Sequence, residues 1–398
     1  MKFKDLPSEA RSYIMMHAYG SPLMIGESAL LVYLVLTGYR ILQIGAIYTI
    51  VNIVLVISPL IIGKSLDYKI SAKKIMILIW ILEGIGYLLL FFSYGIHATL
   101  ILTLGILTIK FATIFYPVYP TYEHFAFPSN ILEKAFFYHI IIPELVQIVA
   151  FPLFGFILTY VFSTPEAYRT LFAGIFIGSI LMALYVKFKI KDIPKAKFEI
   201  EKKRKRKKLH KRFYFLFSME VCLMLAEGLI SNIIIIYFVI AVLKQTFFMA
   251  MLLEVVNSLV TLILGNILKN REMDRRSWLI FGVFLFALTQ IFFIAAGYFK
   301  SIVPVLIAVT ASTAGNVFWF PVHRSMLYRT IPESKRGSIF GMMSTFSKTI
   351  GIFIPLLAAA LMNLSKYLPF IAALILYVMC IVGYIRITKP QNVTKIDE

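Results

Sequence analysis

Along the chain, apolar runs of about twenty residues alternate with short polar connections. Twelve such runs can be marked, near 13–37, 41–62, 75–94, 98–120, 135–160, 169–188, 213–241, 246–268, 278–298, 301–323, 338–362 and 367–387. Roughly 20 apolar residues in a helix cross a bilayer, and a helix satisfies its own backbone there. The pattern therefore predicts an all-α, polytopic membrane protein with 12 transmembrane helices. One polar stretch is long. Lys187 to Arg212 separates six runs from six, so the predicted division is 1–186 as an N-terminal six-helix bundle, 187–212 as a connector and 213–398 as a C-terminal six-helix bundle with a short tail.

Charge orients the helices. The connector holds 14 Lys or Arg among 26 residues, against Asp192, Glu199 and Glu201. Of the 40 basic residues, 33 fall on the connector's side of the predicted spans. Only Arg40, Arg169, Lys244, Lys300 and Lys366 fall on the other side, while Lys110 and Lys348 lie inside runs. Positive residues mark the cytoplasmic face, which predicts a multi-pass protein of the plasma membrane with both termini cytoplasmic. The net charge of +20 then needs no nucleic-acid partner. The basic loops suit anionic lipid headgroups instead, at about 1 kcal/mol per residue near the surface. With acids and Pro7 ahead of the first run, the N-terminus does not read as a cleaved signal peptide. Cys222 and Cys380 both sit in apolar runs and imply no disulfide framework.

The halves repeat. Glu27 and Glu227 end similar pentapeptides, LMIGE and LMLAE, 200 residues apart. Gly63 and Gly265, Tyr116-Pro117-Val118 and Phe320-Pro321-Val322, Pro128 and Pro332, and Pro152 and Pro355 recur at offsets of 202 to 204. Duplication of a six-helix unit explains this. An even number of spans gives both halves one orientation about an axis along the membrane normal.

After the second run comes Gly63-Lys64-Ser65-Leu66-Asp67, then Lys69, Lys73 and Lys74. A Gly, three residues, an Asp and a basic cluster resemble the signature loop of the major facilitator superfamily. Twelve spans, the parallel six-plus-six repeat and the basic central loop resemble that family over the whole chain. Tyr68 and Ile70 depart from the motif, and the second-half copy has Lys269 at the acid's place. The resemblance implies a gating loop of Gly63, Asp67, Lys69, Lys73 and Lys74. Its acid would latch onto the end of span eleven near Gly337-Ser338, where a helix N-terminus attracts an anion. It also implies that spans one, four, seven and ten line a central cavity.

Ionisable residues inside spans are costly and face the bundle interior or water. Glu27 and Glu227 stand mid-span at matching repeat positions, and Lys110 stands mid-span in run four. Glu144 with Gln147 and Glu254 with Asn257 are spaced i, i+3 on one helix face, and Asn316 completes the candidate substrate- and proton-binding set. Five intraspan acids, Glu83 included, face only Lys110 and Lys348, and cannot all stay ionised in a low-dielectric setting. Glu220 is close enough to the span end to snorkel. His17 and His139 are the histidines placed to titrate.

These features predict a secondary active transporter that moves a small-molecule solute by alternating access, coupled to protons, with export by antiport and uptake by symport both open. An intramembrane enzyme or a sensor with no transport activity is the alternative. No GxxxxGK[ST] loop, HExxH pair or Cys/His cluster occurs, so no enzyme activity, metal or cofactor is expected.

Overall fold

The computed structural model describes residues 3–66, 71–116, 118–127, 132–192, 211–268, 275–330, 343, 346 and 349–387. Every regular element among them is helical: α1 Ser8–Gly20, α2 Ile25–Leu36, α3 Ile41–Leu66, α4 Ala72–Phe91, α5 Ala98–Ala112, α6 Val118–Ala126, α7 Leu132–Phe156, α8 Pro165–Lys189, α9 Lys211–Leu229, α10 Asn232–Tyr237, α11 Phe247–Leu268, α12 Arg275–Phe299, α13 Val303–Thr330, α14 Ile354–Leu364 and α15 Leu368–Ile387. Among the described residues, ten spans are long and apolar enough to cross a membrane, and 41–56 and 349–364 form shorter apolar helices. Large apolar side chains face outward along them. On α7, Leu145, Val149, Leu153 and Phe156 form such a stripe, which suits hydrocarbon rather than water.

Two compact units result, one of residues 1–39 and 50–202, the other of 40–49 and 203–398. In the first, α4 packs on α5 and α8, while α1 lies against α7 and α8. In the second, α12 packs on α13 and α15, and α15 on α9.

Three local devices recur between the units. The first is a pair of facing glycines. A Cβ on Gly86 would stand 2.9 Å from the Gly105 carbonyl oxygen, and one on Gly105 would stand 3.0 Å from that of Gly86, so α4 and α5 touch backbone to backbone. Gly282 and Gly315 do the same for α12 and α13, each 2.8 Å from the other's carbonyl oxygen. Small residues allow this approach where helix association in lipid rests on van der Waals packing.

The second device is a cation at a helix C-terminus. Arg169, in the first turns of α8, donates from Nε to the Phe91 carbonyl at the end of α4 (2.8 Å) and lies over the Tyr94 ring (4.0 Å). Lys366, just before α15, donates to the Gly297 carbonyl at the end of α12 (2.9 Å). Both satisfy carbonyls a helix end leaves open, at its negative pole.

The third is a left-handed residue in equivalent turns. Gly38 (φ 87°) and Gly95 (φ 73°) turn the chain after α2 and α4. Lys244 (φ 57°) and Lys300 (φ 51°) stand 206 and 205 residues later. Gly38 closes a Schellman motif, with Tyr39 N donating to the Leu34 carbonyl and Gly38 N to that of Val35. At Lys300 the Ser301 N–H reaches back to the Ala296 carbonyl in the same way. Four of the five cations predicted off the connector's side thus have local structural work: two cap helices and two stand in turns.

Candidate functional site

In the first unit the site grows from a break in the first span. Pro22 has no N–H to give, and the chain passes through a 3-10 turn at Ser21–Met24 between α1 and α2. Ser21 Oγ donates to the Ala18 carbonyl (3.0 Å) and to the Pro143 carbonyl of α7 (3.4 Å). Gln147, one turn on, places its Nε2 3.7 Å from Met24 Sδ. The predicted pair Glu144 and Gln147 therefore lies on the helix that flanks the break, with Glu144 half-buried.

Glu27 follows in the first turn of α2. Lys110, in the last turn of α5, donates from Nζ to Glu27 Oε1 at 2.6 Å. The Lys110 and Glu27 side chains are 30% and 51% exposed, so in water the pair would add little stability; its interest is that both groups stay accessible. The helix ends there because Thr113 Oγ1 binds the Lys110 carbonyl (2.7 Å) and a 3-10 turn follows to Phe115. Tyr116 then donates to Glu83 Oε1 (2.5 Å), and Lys110 and Glu27 both act on the Glu83 carboxyl electrostatically. Glu83 on α4, counted from the sequence only among the intraspan acids, thus neighbours the pair that Glu27 and Lys110 form.

A second cluster gathers on α1, α6 and α7. Tyr13 Oη donates to Glu123 Oε1 (3.0 Å), and His139 Nδ1 lies 3.7 Å from the same oxygen. The rings of His17 and His139 are 4.6 Å apart, and His17 Nε2 is buried with no hydrogen-bond partner. Burial pushes the Glu123 carboxyl above its ordinary range, while the Tyr13 hydroxyl pulls the other way. Next to it the Tyr122 phenol is pushed up to about 12 by burial and by the negative charges of Glu9 and Asp192.

In the second unit a cavity of about 160 Å³ is lined by Glu254, Asn257, Asn232, Thr289, Ser312 and Thr313 among apolar side chains. Thr313 Oγ1 donates to Asn257 Oδ1 at 2.6 Å. The i, i+3 spacing of Glu254 and Asn257 thus places two predicted residues in one polar pocket. Asn232, Thr289, Ser312 and Thr313 were not predicted; single small polar residues give no signal until packing brings them together. Asn316 is exposed on α13, one turn past Thr313, and is not among the lining residues. Glu227 is exposed near the end of α9, where the Ile230 N–H bonds its carbonyl and the helix stops.

Of the predicted gating loop, Asp67 and Lys69 lie outside the described residues, as does Lys348 among the intraspan cations. Gly63 falls within α3. Lys73 and Lys74 are in the first turn of α4, whose cap Ser71 accepts from Lys74 N (3.2 Å), and Lys73 N lies 3.5 Å from Asp192 Oδ1. Among the described residues no group of three or more His, Cys, Asp or Glu is arranged to hold a metal ion.

No curated protein sequence matches the chain. The Major Facilitator Superfamily model matches residues 216–398. Solved structures share the fold over nearly the full length. The nucleoside transporter NupG has a TM-score of 0.68 at 15% identity, covering 96% of this chain and 99% of its own. An auto-inhibited POT family peptide transporter has 0.71 at 12%, covering 96% and 98%. A bacterial homologue of the iron transporter ferroportin, in an inward-facing state, has 0.70 at 13%, covering 95% and 98%. Residues 216–398 thus carry the Major Facilitator Superfamily sequence pattern, and the chain shares the fold of these transporters over almost its entire length.

Proposed function

We propose that the protein is a secondary active transporter that carries a small-molecule solute across the plasma membrane by alternating access, coupled to protons. The observation that carries this reading is the Glu27–Lys110 ion pair. It joins the first and fourth spans beside the break at Ser21–Met24, with Glu83 alongside. A carboxylate held by an ammonium is a two-state element. Protonating Glu27 releases Lys110, and a solute carboxylate or phosphate can compete for the same ammonium. The pocket of Glu254, Asn257 and Thr313 is a polar site in the other unit, suited to a solute's hydrogen-bonding groups. The transporter fold shared with carriers of nucleosides and peptides supports the class of cargo.

In this reading the ten long spans and two shorter apolar helices make twelve spans in two six-helix bundles, 1–186 and 213–398, joined by 187–212, with both termini cytoplasmic. The loop at Gly63–Lys74 is the cytoplasmic gate, and Asp67→Asn abolishes transport without lowering membrane insertion. Export and uptake are both compatible with it.

A panel of nucleosides, peptides, sugars, organic acids and organic cations screened by thermal shift on the purified protein tests the reading, since a bound solute stabilises by mass action. A solute that raises the unfolding temperature of the wild type, and raises it less in Lys110→Gln, fits the proposal. A solute bound equally by both proteins, and carried at equal rates in proteoliposomes, removes Lys110 from the site.

A further inference from the structure

The chain has only two cysteines, in different apolar runs, and the second unit brings them together. Cys222 is on α9 and Cys380 on α15, two helices that pack on each other. Cys222 Sγ points at the Leu376 carbonyl of α15 (3.6 Å), and Cys380 Sγ at the Met219 carbonyl of α9 (4.0 Å). Each thiol thus reaches across to the other's helix, and the two act directly on one another. Cys380 is fully buried, whereas Cys222 is part-exposed.

A third sulfur stands beside them. Met219 precedes Cys222 by one turn on α9, and Gly383 follows Cys380 by one turn on α15. Each pair is spaced i, i+3 on one helix face. A Cβ on Gly383 would stand 2.6 Å from Met219 Sδ, so the thioether fills the space that this glycine leaves. Three residues of helix rise only about 4.5 Å. Two thiols and a thioether therefore share one stretch of the α9–α15 contact.

Hydrogen bonding does not account for the grouping, because a thiol is a weak donor and its carbonyls here are 3.6 and 4.0 Å away. Ligand chemistry does. Thiolates and thioethers are soft donors that select soft ions such as Cu(I) and leave Mg2+ and Ca2+ to oxygen. Zinc takes three or four protein ligands, and among the described residues no group of three His, Cys, Asp or Glu supplies them. Charge selects further, since an unpaired charge away from water is costly. If one thiol gives up its proton to a monovalent ion, the assembly stays neutral, with the second thiol and the thioether as uncharged donors.

We propose that Cys222, Cys380 and Met219 form a binding site for a soft monovalent metal ion, Cu(I) or Ag(I), between α9 and α15. One S–H bond breaks and its proton goes to water, one metal–thiolate bond forms, and no electron is transferred. The ion enters past Cys222, the thiol with open surface. This site shares no residue with the Glu27–Lys110 pair or with the cavity at Asn257.

The test is a titration of the full chain in lipid nanodiscs with Ag(I), after reduction by a phosphine that is then removed. It needs neither a solute nor flux, so its failure leaves the proposed transport standing. Excess free methionine in the buffer strips ions held by a single thioether or imidazole. Silver retained per chain gives the stoichiometry, and X-ray absorption at the silver edge gives the donor atoms. The wild type retains one Ag(I) per chain, surrounded by sulfur. Cys222→Ser and Cys380→Ser each weaken retention at least about tenfold, since losing a ligand costs no less than losing an outer-shell partner. Met219→Leu conserves volume and both thiols; it keeps the stoichiometry and lowers the affinity, and it carries the test if a serine variant does not fold. Two ions per chain, one on each thiol, would overturn the proposal. So would no retained silver in the wild type, or an affinity unchanged in Met219→Leu.

Discussion

Gly282→Ala is a small change with a large expected effect. A Cβ at Gly282 would stand 2.7 Å from Trp319 Cβ, 2.8 Å from the Gly315 carbonyl oxygen and 3.0 Å from Trp319 N. Two of these three atoms are backbone, so no side-chain rotation relieves them. Restoring an ordinary 3.4 Å contact to the carbonyl moves α12 from α13 by about 0.6 Å, along the most extensive helix contact of the unit. Overpacking of this kind costs about 1–3 kcal/mol. For a unit near 200 residues that corresponds to a drop of about 2–12 °C in unfolding temperature. Gly174→Ala is the control: Gly174 has nothing within 4 Å of its added Cβ, and removing a mid-helix glycine gains about 0.5–1 kcal/mol. Both proteins are heated in the same detergent at one scan rate, because membrane proteins of this size unfold irreversibly. If Gly282→Ala unfolds no earlier than wild type, the backbone contact of α12 with α13 is not what holds the unit.

Three further predictions concern other parts of the structure. Lys300→Gly relieves a left-handed Lys at φ 51° and raises stability by about 0.5–1 kcal/mol, since the strain of about 1–2 kcal/mol exceeds glycine's entropic cost; an unchanged or lowered melting temperature would reject the assigned turn. Arg169→Ala removes the bond to the Phe91 carbonyl and the stacking on Tyr94, costing about 1.5–3 kcal/mol, whereas Arg169→Lys recovers part of it; equal loss in both variants would show that the cation at the helix end is not the cause. Glu123, bonded by Tyr13 and close to His139, has its carboxyl raised above 4.5 by burial. Its protonated form therefore adds stability at acid pH that is lost as pH rises from 4.5 through the raised value. The advantage of wild type over Glu123→Gln in thermal scans should shrink as pH rises across that window, and an advantage that grows would reverse the sign of the argument.

Length and hydropathy made the helices legible, because a bilayer demands both over one continuous segment. Runs 75–94, 169–188 and 246–268 become α4, α8 and α11 with ends shifted by a few residues. The first run was less legible: it starts earlier, at Ser8, and is broken at Ser21–Met24 beside Pro22. The polar residues were visible one at a time, since each is expensive in an apolar run, but their partners were not. Lys110 choosing Glu27, Tyr116 choosing Glu83 and Cys222 meeting Cys380 depend on which helix faces pack together, and nothing in local spacing states that. The same limit hid the roles of Arg169, Lys300 and Lys366. As loop cations they counted only toward orientation, whereas their geometry makes them helix caps and turn residues.

The central claim is proton-coupled transport through the acids within the spans, and proteoliposomes with an internal pH indicator test it most directly. A solute found by thermal shift is added on one side with no other gradient imposed. The account predicts a solute-dependent change of internal pH in the wild type that is abolished in the double variant Glu27→Gln, Glu227→Gln, although that protein still inserts and folds. Solute flux with no movement of protons, or equal proton movement in the double variant, would contradict it.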